Sequence, residues 1–257
     1  MGGDDKLMKP RLFKTKLAEK YFLNESEKFL LVRLELIEPR KIEFEAGQYV
    51  SIKVSDRGDR RAYSIASTPD ISHAIELVID VSPNGLGTSF LKALKLGEEV
   101  EVLGPLGRFV VPKDISEMEK DSLKGERKFL FVGTGSGIVP LRSMILDLLQ
   151  NREETRPIRL HWGLRFEEDV FWLDNFQRLM EEFPNFILDL VLSRPKEGWR
   201  MCWGHVQDCL RRDVLPNEDM RGWEAYLCGN QEMIEETKKL LVSSGADESS
   251  IYFERFS

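Results

Sequence analysis

One short segment carries three side chains that could bind a dinucleotide cofactor. The segment reads Arg61-Ala62-Tyr63-Ser64. Its guanidinium can pair with a pyrophosphate, its phenol ring offers a flat face to an aromatic system, and its hydroxyl can donate and accept hydrogen bonds. A flavin dinucleotide requires these three properties, although the same residues also fit an ordinary strand with an arginine at its end. Because side chains alternate across a strand, one ligand touching all three must lie across a strand edge.

Two glycine-rich turns could hold phosphates. The first, Gly85-Leu86-Gly87-Thr88, ends a strand-like stretch and opens a short helix, and the second, Gly133-Thr134-Gly135-Ser136-Gly137, joins an apolar run to a helix. Backbone amides at a helix N-terminus bind phosphate when glycine permits close approach. The first turn is explained equally well as a plain turn with Thr88 as the N-cap. The second lacks the lysine of a Walker loop and has Ile138 in place of the third glycine of the usual dinucleotide fingerprint, but it can still admit a pyrophosphate.

The elements that must position these residues change character along the chain. Up to about residue 111, short apolar runs alternate with turns rich in glycine and proline, and one short helix is indicated over 88–94. Strands are predicted over 28–37, 48–54, 61–67, 74–81 and 99–103. This pattern predicts a small closed antiparallel β-barrel.

In the second half of the chain, strand and helix patterns alternate. Strands are predicted over 128–132, 158–163, 186–193, 225–228 and 251–256, and helices around 140–148, 170–182, 205–212 and 231–241. This alternation predicts a parallel sheet covered on both faces, with ligands at the carboxyl ends of its strands. The stretch between the two halves, residues 112–127, is charged and weakly periodic. We therefore expect two domains, residues 1–114 and 128–257, joined by a linker over 115–127.

Five short motifs follow one another along nearly the whole chain. They are Arg61-x-Tyr63-Ser64, Gly85-x-x-Thr88, Gly133-Thr134-Gly135-Ser136-Gly137-x-x-Pro140, Tyr226-Leu227-Cys228-Gly229-Asn230 and Glu254-Arg255-Phe256-Ser257. In this order and spacing they resemble the ferredoxin-NADP reductase family. The resemblance implies an FAD-binding β-barrel domain, an NAD(P)-binding α/β domain, and electron transfer between NAD(P)H and ferredoxin or flavodoxin.

The resemblance also implies a role for individual residues. FAD would be bound by Arg61, Ala62, Tyr63, Ser64, Gly85, Leu86, Gly87, Thr88 and Phe256. NADP(H) or NAD(H) would be bound by Gly133, Thr134, Gly135, Ser136, Gly137, Arg165, Ser193, Arg194, Arg200, Cys228 and Gly229. The expected catalytic residues are Ser64, Cys228 and Glu254. Hydride passes between the two cofactors only when their rings are close, and the small Cys228 side chain permits that approach.

The coenzyme and the electron acceptor stay open at this point. Ser193-Arg194 matches the family's contact with a 2′-phosphate, and Arg165, Lys196 and Arg200 could add positive charge, so NADPH is slightly favoured. However, Ser-Arg-Pro followed by Trp199 also resembles oxygenase reductases that use NADH. Alternative functions are the reductase component of an oxygenase, a free-flavin reductase, and an electron-transfer subunit of a larger complex.

The amino-acid composition excludes several classes of protein. A net charge of -7, from 37 basic and 44 acidic residues, argues against nucleic-acid binding. With 42% hydrophobic and 32% charged residues, no apolar run of membrane-spanning length and no signal-peptide pattern, we expect a cytoplasmic monomer that binds no membrane. Three cysteines are too few and too irregularly spaced for a disulfide framework or a zinc site, and they cannot supply the four thiolates of a plant-type iron-sulfur cluster. No metal is therefore expected.

Overall fold

A computed structural model describes residues 9–112 and 127–256. The first part contains β1 (Arg11–Phe22), β2 (Phe29–Glu38), β3 (Tyr49–Lys53), β4 (Arg60–Ser64), β5 (Ala74–Asp80), α1 (Leu86–Ala93) and β6 (Glu99–Leu106). The strands pair in the order β4-β3-β6-β1-β2-β5, each pair antiparallel. Just beyond β4, Ile65 bridges Leu77 of β5. The sheet thus closes on itself, which confirms the predicted antiparallel barrel.

Alternating apolar side chains build this barrel. In β3, Val50 and Ile52 are fully buried, and each alternates with a partly exposed neighbour. Successive strand residues point to opposite faces, so Val50 and Ile52 share the face that packs in the barrel core, and each buried aliphatic side chain stabilises the fold by about 1.5–3 kcal/mol. Helix α1 begins at Leu86 with Gly85 as its N-cap residue, two residues before the predicted start. Thr88 is therefore not the N-cap.

The second part is a six-stranded parallel sheet. Its strands are β7 (Lys128–Thr134), β8 (Ile158–Leu164), β9 (Phe186–Leu192), β10 (Cys202–Trp203), β11 (Trp223–Gly229) and β12 (Ile251–Arg255), in the order β10-β9-β8-β7-β11-β12. Its helices are α2 (Ile138–Leu146), α3 (Leu173–Glu182), α4 (Val206–Cys209) and α5 (Gln231–Ser243), of which α2 and α4 continue as π-helical turns. The predicted parallel α/β architecture is confirmed, and the strand order reverses between β7 and β11.

The central strand β7 is apolar on both faces because helices cover both. Phe129 and Phe131 pack in the cluster that includes α2 and α3, whereas Leu130 and Val132 pack in the cluster that includes α4 and α5. All four side chains are fully buried. A parallel strand covered on both sides gives this continuous apolar run instead of an alternating one.

Helix α2 connects the parallel sheet to the barrel. The guanidinium of Arg142 donates to the carbonyl of Ala66 at 2.9 Å, and the hydroxyl of Ser143 donates to the carbonyl of Ser67 at 2.7 Å. Arg142 also lies over the ring of Trp172, 4.2 Å from its centroid. The segment after β4 and the helix after the second glycine-rich turn are therefore held directly together.

Cys202 and Cys209 form a disulfide, which was not predicted from the number and spacing of the cysteines. The spacing does not reveal the turn from β10 into α4 that brings the two sulfurs together. Cys228 is a buried free thiol. The proposed linker over 115–127 lies outside the described residues except for Arg127. Within the described ranges, every helix is too short or too polar to cross a membrane.

Candidate active site

A large cavity lies between the barrel and the parallel sheet. Its volume of about 1140 Å³ exceeds the roughly 300–1,000 Å³ of ordinary small-ligand pockets, so it has room for more than one ligand. Twelve of the predicted site residues line it: Ala62, Tyr63, Ser64, Thr88, Thr134, Gly135, Ser136, Arg165, Ser193, Gly229, Glu254 and Phe256. Both sheets thus contribute to one site.

The other predicted residues lie behind this wall or outside it. Gly87, Gly133, Gly137 and Cys228 are buried behind it, and Arg61, Gly85, Leu86, Arg194 and Arg200 are exposed. The guanidinium of Arg61 donates to the carbonyl of Arg60 at 2.8 Å. Arg194 contributes a backbone hydrogen bond to the carbonyl of Arg165 at 2.9 Å, which fixes the end of β8.

The two predicted FAD-binding motifs form one surface. A Cβ atom on Gly87 would overlap the hydroxyl of Tyr63 and lie 2.8 Å from Cγ of Arg61, so the first turn of α1 rests directly on these two β4 side chains. Burial raises the pKa of Tyr63, so its phenol stays neutral well above neutral pH. A cation, an aromatic face and a glycine turn stand side by side, and this arrangement fits a flavin dinucleotide.

The second glycine-rich turn lies at the carboxyl ends of β7 and β11. A Cβ atom on Gly137 would overlap the carbonyl oxygen of Cys228, so only glycine allows the turn to reach β11 this closely. The indole of Trp162 donates to the carbonyl of Gly135 at 3.1 Å and fixes the turn from its other side. A strand, a tight glycine turn and a helix at the point where the strand order reverses fit the pyrophosphate of a nicotinamide dinucleotide.

Ser64, Cys228 and Glu254 meet where the barrel faces the last two strands. Cys228 and Glu254 are ladder partners of β11 and β12. Oε2 of Glu254 is buried with no hydrogen-bond partner among the described residues. Burial raises the pKa of Glu254 to about 7, and the nearby Ser64 hydroxyl opposes this shift. Burial, reinforced by Glu254, raises the pKa of the Cys228 thiol, which is therefore protonated near neutral pH and is not a nucleophilic thiolate.

Phe256 lines one side of the cavity. The backbone N–H of Phe256 donates to the carbonyl of Gly229 at 3.0 Å, and the ring packs against the larger core cluster. This bond places the aromatic side chain beside Gly229, where both line the cavity.

Several cavity residues were not predicted from the sequence. They include Lys28, Tyr49, Asp80, His205, Gln207, Asn230, Glu232 and Glu236. Tyr49 is the ladder partner of Ser64, which motif reading alone does not reveal. Asn230 ends the fourth motif but was assigned no ligand; its side chain caps α5 by accepting from the N–H of Met233 at 2.8 Å. Its position directly after β11, like that of His205 after β10, was a usable signal, because ligands bind beyond the carboxyl ends of parallel strands.

Replacing Glu254 by glutamine tests the buried acid. An acid whose pKa is raised in the folded state contributes its stabilisation below its unfolded pKa and loses it as the pH rises through the folded pKa. Relative to Glu254→Gln, the free energy of unfolding of the native protein should therefore fall by up to about 3 kcal/mol as the pH rises from below 4.5 to above 7. Urea unfolding of both proteins at a series of pH values measures this difference. Curves that run parallel across the series would show that Glu254 titrates normally.

Comparisons with known proteins agree with this arrangement. The model of the oxidoreductase FAD-binding domain matches residues 14–111, and that of the oxidoreductase NAD-binding domain matches residues 131–239. The phenol hydroxylase P5 protein of Acinetobacter pittii (strain PHEA-2) is 32% identical over 88% of this chain and 60% of its own length. One subunit of the Na(+)-translocating NADH-quinone reductase of Neisseria meningitidis is 31% identical over 81% of this chain and 51% of its own length.

The solved structures include a similar protein as well. The crystal structure of the Amycolatopsis cytochrome P450 reductase GcoB matches with a TM-score of 0.84 and 30% identity, covering 96% of this chain and 70% of that chain. The chain thus spans only about half to three fifths of the two curated relatives named above. The names of those longer proteins therefore describe the activities of the complete proteins, of which this chain matches only a part.

Proposed function

Because the chain belongs to the ferredoxin-NADP reductase family of FAD-dependent oxidoreductases, we propose that it accepts hydride from NAD(P)H and delivers electrons singly to a protein acceptor. Bound FAD supplies the conversion between two-electron and one-electron chemistry. The observation that carries the proposal is that Ser64 and Glu254 line the cavity between the two sheets, with Cys228 buried behind the wall as the ladder partner of Glu254. These groups come from three strands of two different sheets.

In this proposal the barrel residues bind and orient the flavin. Arg61 pairs with the pyrophosphate, and the turn around Gly87 and Thr88 approaches it from α1. Tyr63 would stack on the ring system, and Phe256 would cover it. The ring of Phe256 would have to move aside to admit the nicotinamide, while the bond from its backbone N–H to the carbonyl of Gly229 anchors the main chain.

The parallel sheet would bind the coenzyme. The turn from Gly133 to Gly137 would hold its pyrophosphate, and Cys228 and Gly229 would flank the nicotinamide. Ser64 presents its hydroxyl at the reacting edge, and Glu254, with a pKa of about 7, can hold or release a proton through that hydroxyl near neutral pH.

Replacing Cys228 by alanine should slow hydride transfer and leave FAD bound. Cys228 is fully buried, and removing its sulfur opens a space beside the nicotinamide position, so the ring is held less firmly. A loss of about tenfold or more in the rate of flavin reduction is expected, because displacement by 1 Å can cost about 100-fold. Anaerobic stopped-flow mixing with NADPH and NADH measures this rate, with flavin content as the control. Unchanged reduction kinetics would remove Cys228 from the mechanism.

The observations on the coenzyme point in two directions. Arg165 and Ser193 line the cavity, which supports contact with a 2′-phosphate and therefore NADPH. Glu232 and Glu236 line it as well, and one relative is named as part of an NADH-quinone reductase, which supports NADH. An Arg165→Gln variant should raise the KM for NADPH at least several-fold and leave that for NADH unchanged if Arg165 pairs with the 2′-phosphate.

For the acceptor, we propose ferredoxin or flavodoxin, with an oxygenase component as the second candidate. The second candidate is supported by the relatives named as a phenol hydroxylase protein and a cytochrome P450 reductase. Steady-state assays of the FAD-loaded protein with ferredoxin, flavodoxin, an oxygenase component and free FMN would distinguish these candidates. Fast reduction of free FMN alone would favour the free-flavin reductase.

A further inference from the structure

The Cys202–Cys209 disulfide closes a segment that lines the nucleotide side of the cavity. Gly204, His205, Val206 and Gln207, all between the two cysteines, form part of the cavity wall. Two contacts hold this wall against the sheet: the N–H of Gly204 donates to the carbonyl of Leu192 at 3.0 Å, and Val206 packs against Gly163. The cystine and the cavity wall thus belong to one short piece of chain.

The surroundings of the two sulfurs suit both oxidation states. The Arg212 guanidinium lies 2.9 Å from the sulfur of Cys202, and Oδ2 of Asp213 lies 3.3 Å from the sulfur of Cys202 and 3.4 Å from that of Cys209. In the disulfide neither sulfur carries a proton. In the dithiol both S–H groups can donate to Asp213. The Asp213 carboxylate can therefore accept hydrogen bonds from the dithiol, and its position is also compatible with the disulfide.

The two cysteines differ in accessibility. Cys209 is fully buried, whereas Cys202 is partly exposed at the edge strand β10. A thiolate from solvent can therefore reach the sulfur of Cys202 and not that of Cys209. This asymmetry gives exchange a defined direction, with Cys202 as the attacked sulfur and Cys209 as the leaving one.

We propose that Cys202 and Cys209 form a redox-active cystine that sets the affinity of the cavity for the nicotinamide coenzyme; this rests on the proposed function, which requires that coenzyme. In the disulfide form the wall from Gly204 to Gln207 is held at both ends. In the dithiol form one restraint is lost, so coenzyme binding must order the segment at an entropic cost. Reduction thus weakens binding.

The reductant is a dithiol. Its first thiolate attacks the Cys202 sulfur, the bond between the two cysteines breaks, and the Cys209 thiolate leaves and takes a proton from solvent. The second thiolate of the reductant then attacks the mixed disulfide and releases Cys202, which is also protonated. Two electrons and two protons pass to the protein, and the reductant becomes a disulfide.

A metal site is the competing use of these groups. Ligand atoms of Cys202, Cys209 and Asp213 lie within 4.8 Å of one another. Structural zinc sites take four protein ligands, whereas this cluster offers three, and the Arg212 cation beside the sulfur of Cys202 opposes a second cation there. The geometry favours the cystine.

The test compares the FAD-loaded protein as isolated, the same protein after anaerobic treatment with dithiothreitol and desalting, and a C202S/C209S double variant. Calorimetric titration with NAD⁺ and with NADP⁺ measures binding without reducing the flavin. We expect the Kd of the preferred coenzyme to rise about 3- to 10-fold on reduction. The double variant should have the Kd of the reduced form, and treatment with dithiothreitol should not change it. Iodoacetamide labelling of the unfolded protein should detect two more thiols after reduction, and flavin content should not change.

Each other outcome has a definite meaning. Equal Kd values before and after release of the two thiols would overturn the proposal and leave the proposed function intact. Labelling of both cysteines without reductant, or one equivalent of zinc in the isolated protein, would also overturn it. If the isolated protein, the reduced protein and the double variant all fail to bind either coenzyme, the proposed function itself is contradicted.

Discussion

Replacing Arg61 by alanine should release FAD, whereas replacing its neighbour Arg60 should not. Arg61 is exposed, its carbon atoms lie against Gly87, and its guanidinium donates to a backbone carbonyl. A hydrogen bond to a charged group contributes about 1.5–3 kcal/mol, so loss of the pyrophosphate contact should weaken FAD binding roughly 10- to 100-fold. Fluorescence titration of the apoprotein with FAD measures this affinity.

Arg60 is a matched control on the same strand. Its guanidinium bonds to Glu101 at 2.7 Å and to the carbonyl of Ser51 at 2.6 Å, so it is occupied by the barrel and lies on the opposite face of β4. Arg60→Ala should purify with a normal flavin content. An Arg61→Ala protein that is fully yellow after desalting would remove Arg61 from the FAD site.

Replacing Gly137 by alanine should disrupt coenzyme binding without loss of FAD. The new Cβ would overlap the Cys228 carbonyl oxygen and lie 2.7 Å from its carbonyl carbon. Both contacts are backbone atoms of a central strand, so the turn must move away from β11. Overpacking of this kind costs about 1–3 kcal/mol of stability, and the displaced turn should bind the coenzyme at least roughly tenfold more weakly. Urea unfolding and calorimetric titration measure the two effects.

Gly222 provides the control for this substitution. A Cβ atom there meets no other atom within 4 Å among the described residues, so Gly222→Ala should match the native protein in both measurements. Native coenzyme affinity in the Gly137→Ala protein would mean that the turn from Gly133 to Gly137 does not hold the coenzyme. Loss of FAD together with coenzyme binding would instead indicate general unfolding.

The architecture could be predicted from the sequence because both sheets follow simple hydrophobic patterns. Strand β3 alternates between buried and partly exposed residues, and the middle of β7 is continuously apolar, as in a strand covered on both faces. Strand β1 was not separately predicted, since charged residues dominate its exposed face and a buried polar side chain, Thr15, interrupts its apolar face. The two-residue strand β10 carries too few residues for any period to be visible.

The site was harder to predict than the fold, because contacts between distant motifs depend on register. The motifs identified Ser64, Cys228 and Glu254 separately, but their meeting follows from the pairing of β11 with β12 and from the closure of the barrel against α2. Arg194 and Arg200 are exposed and do not line the cavity, so their contact with the coenzyme stays a prediction, as does that of Arg61 with FAD. A motif gives residue types in order, whereas the direction of a long side chain is decided by its neighbours.

The most direct test of the central claim is anaerobic titration of the purified protein with NADPH and, separately, with NADH, followed by visible absorption. A yellow protein whose flavin absorption is bleached by one of the two at far lower concentration is the predicted result, and it identifies the coenzyme. A colourless protein that cannot be reconstituted with FAD, or a yellow one that neither coenzyme bleaches, would contradict the proposal that this site transfers hydride to FAD.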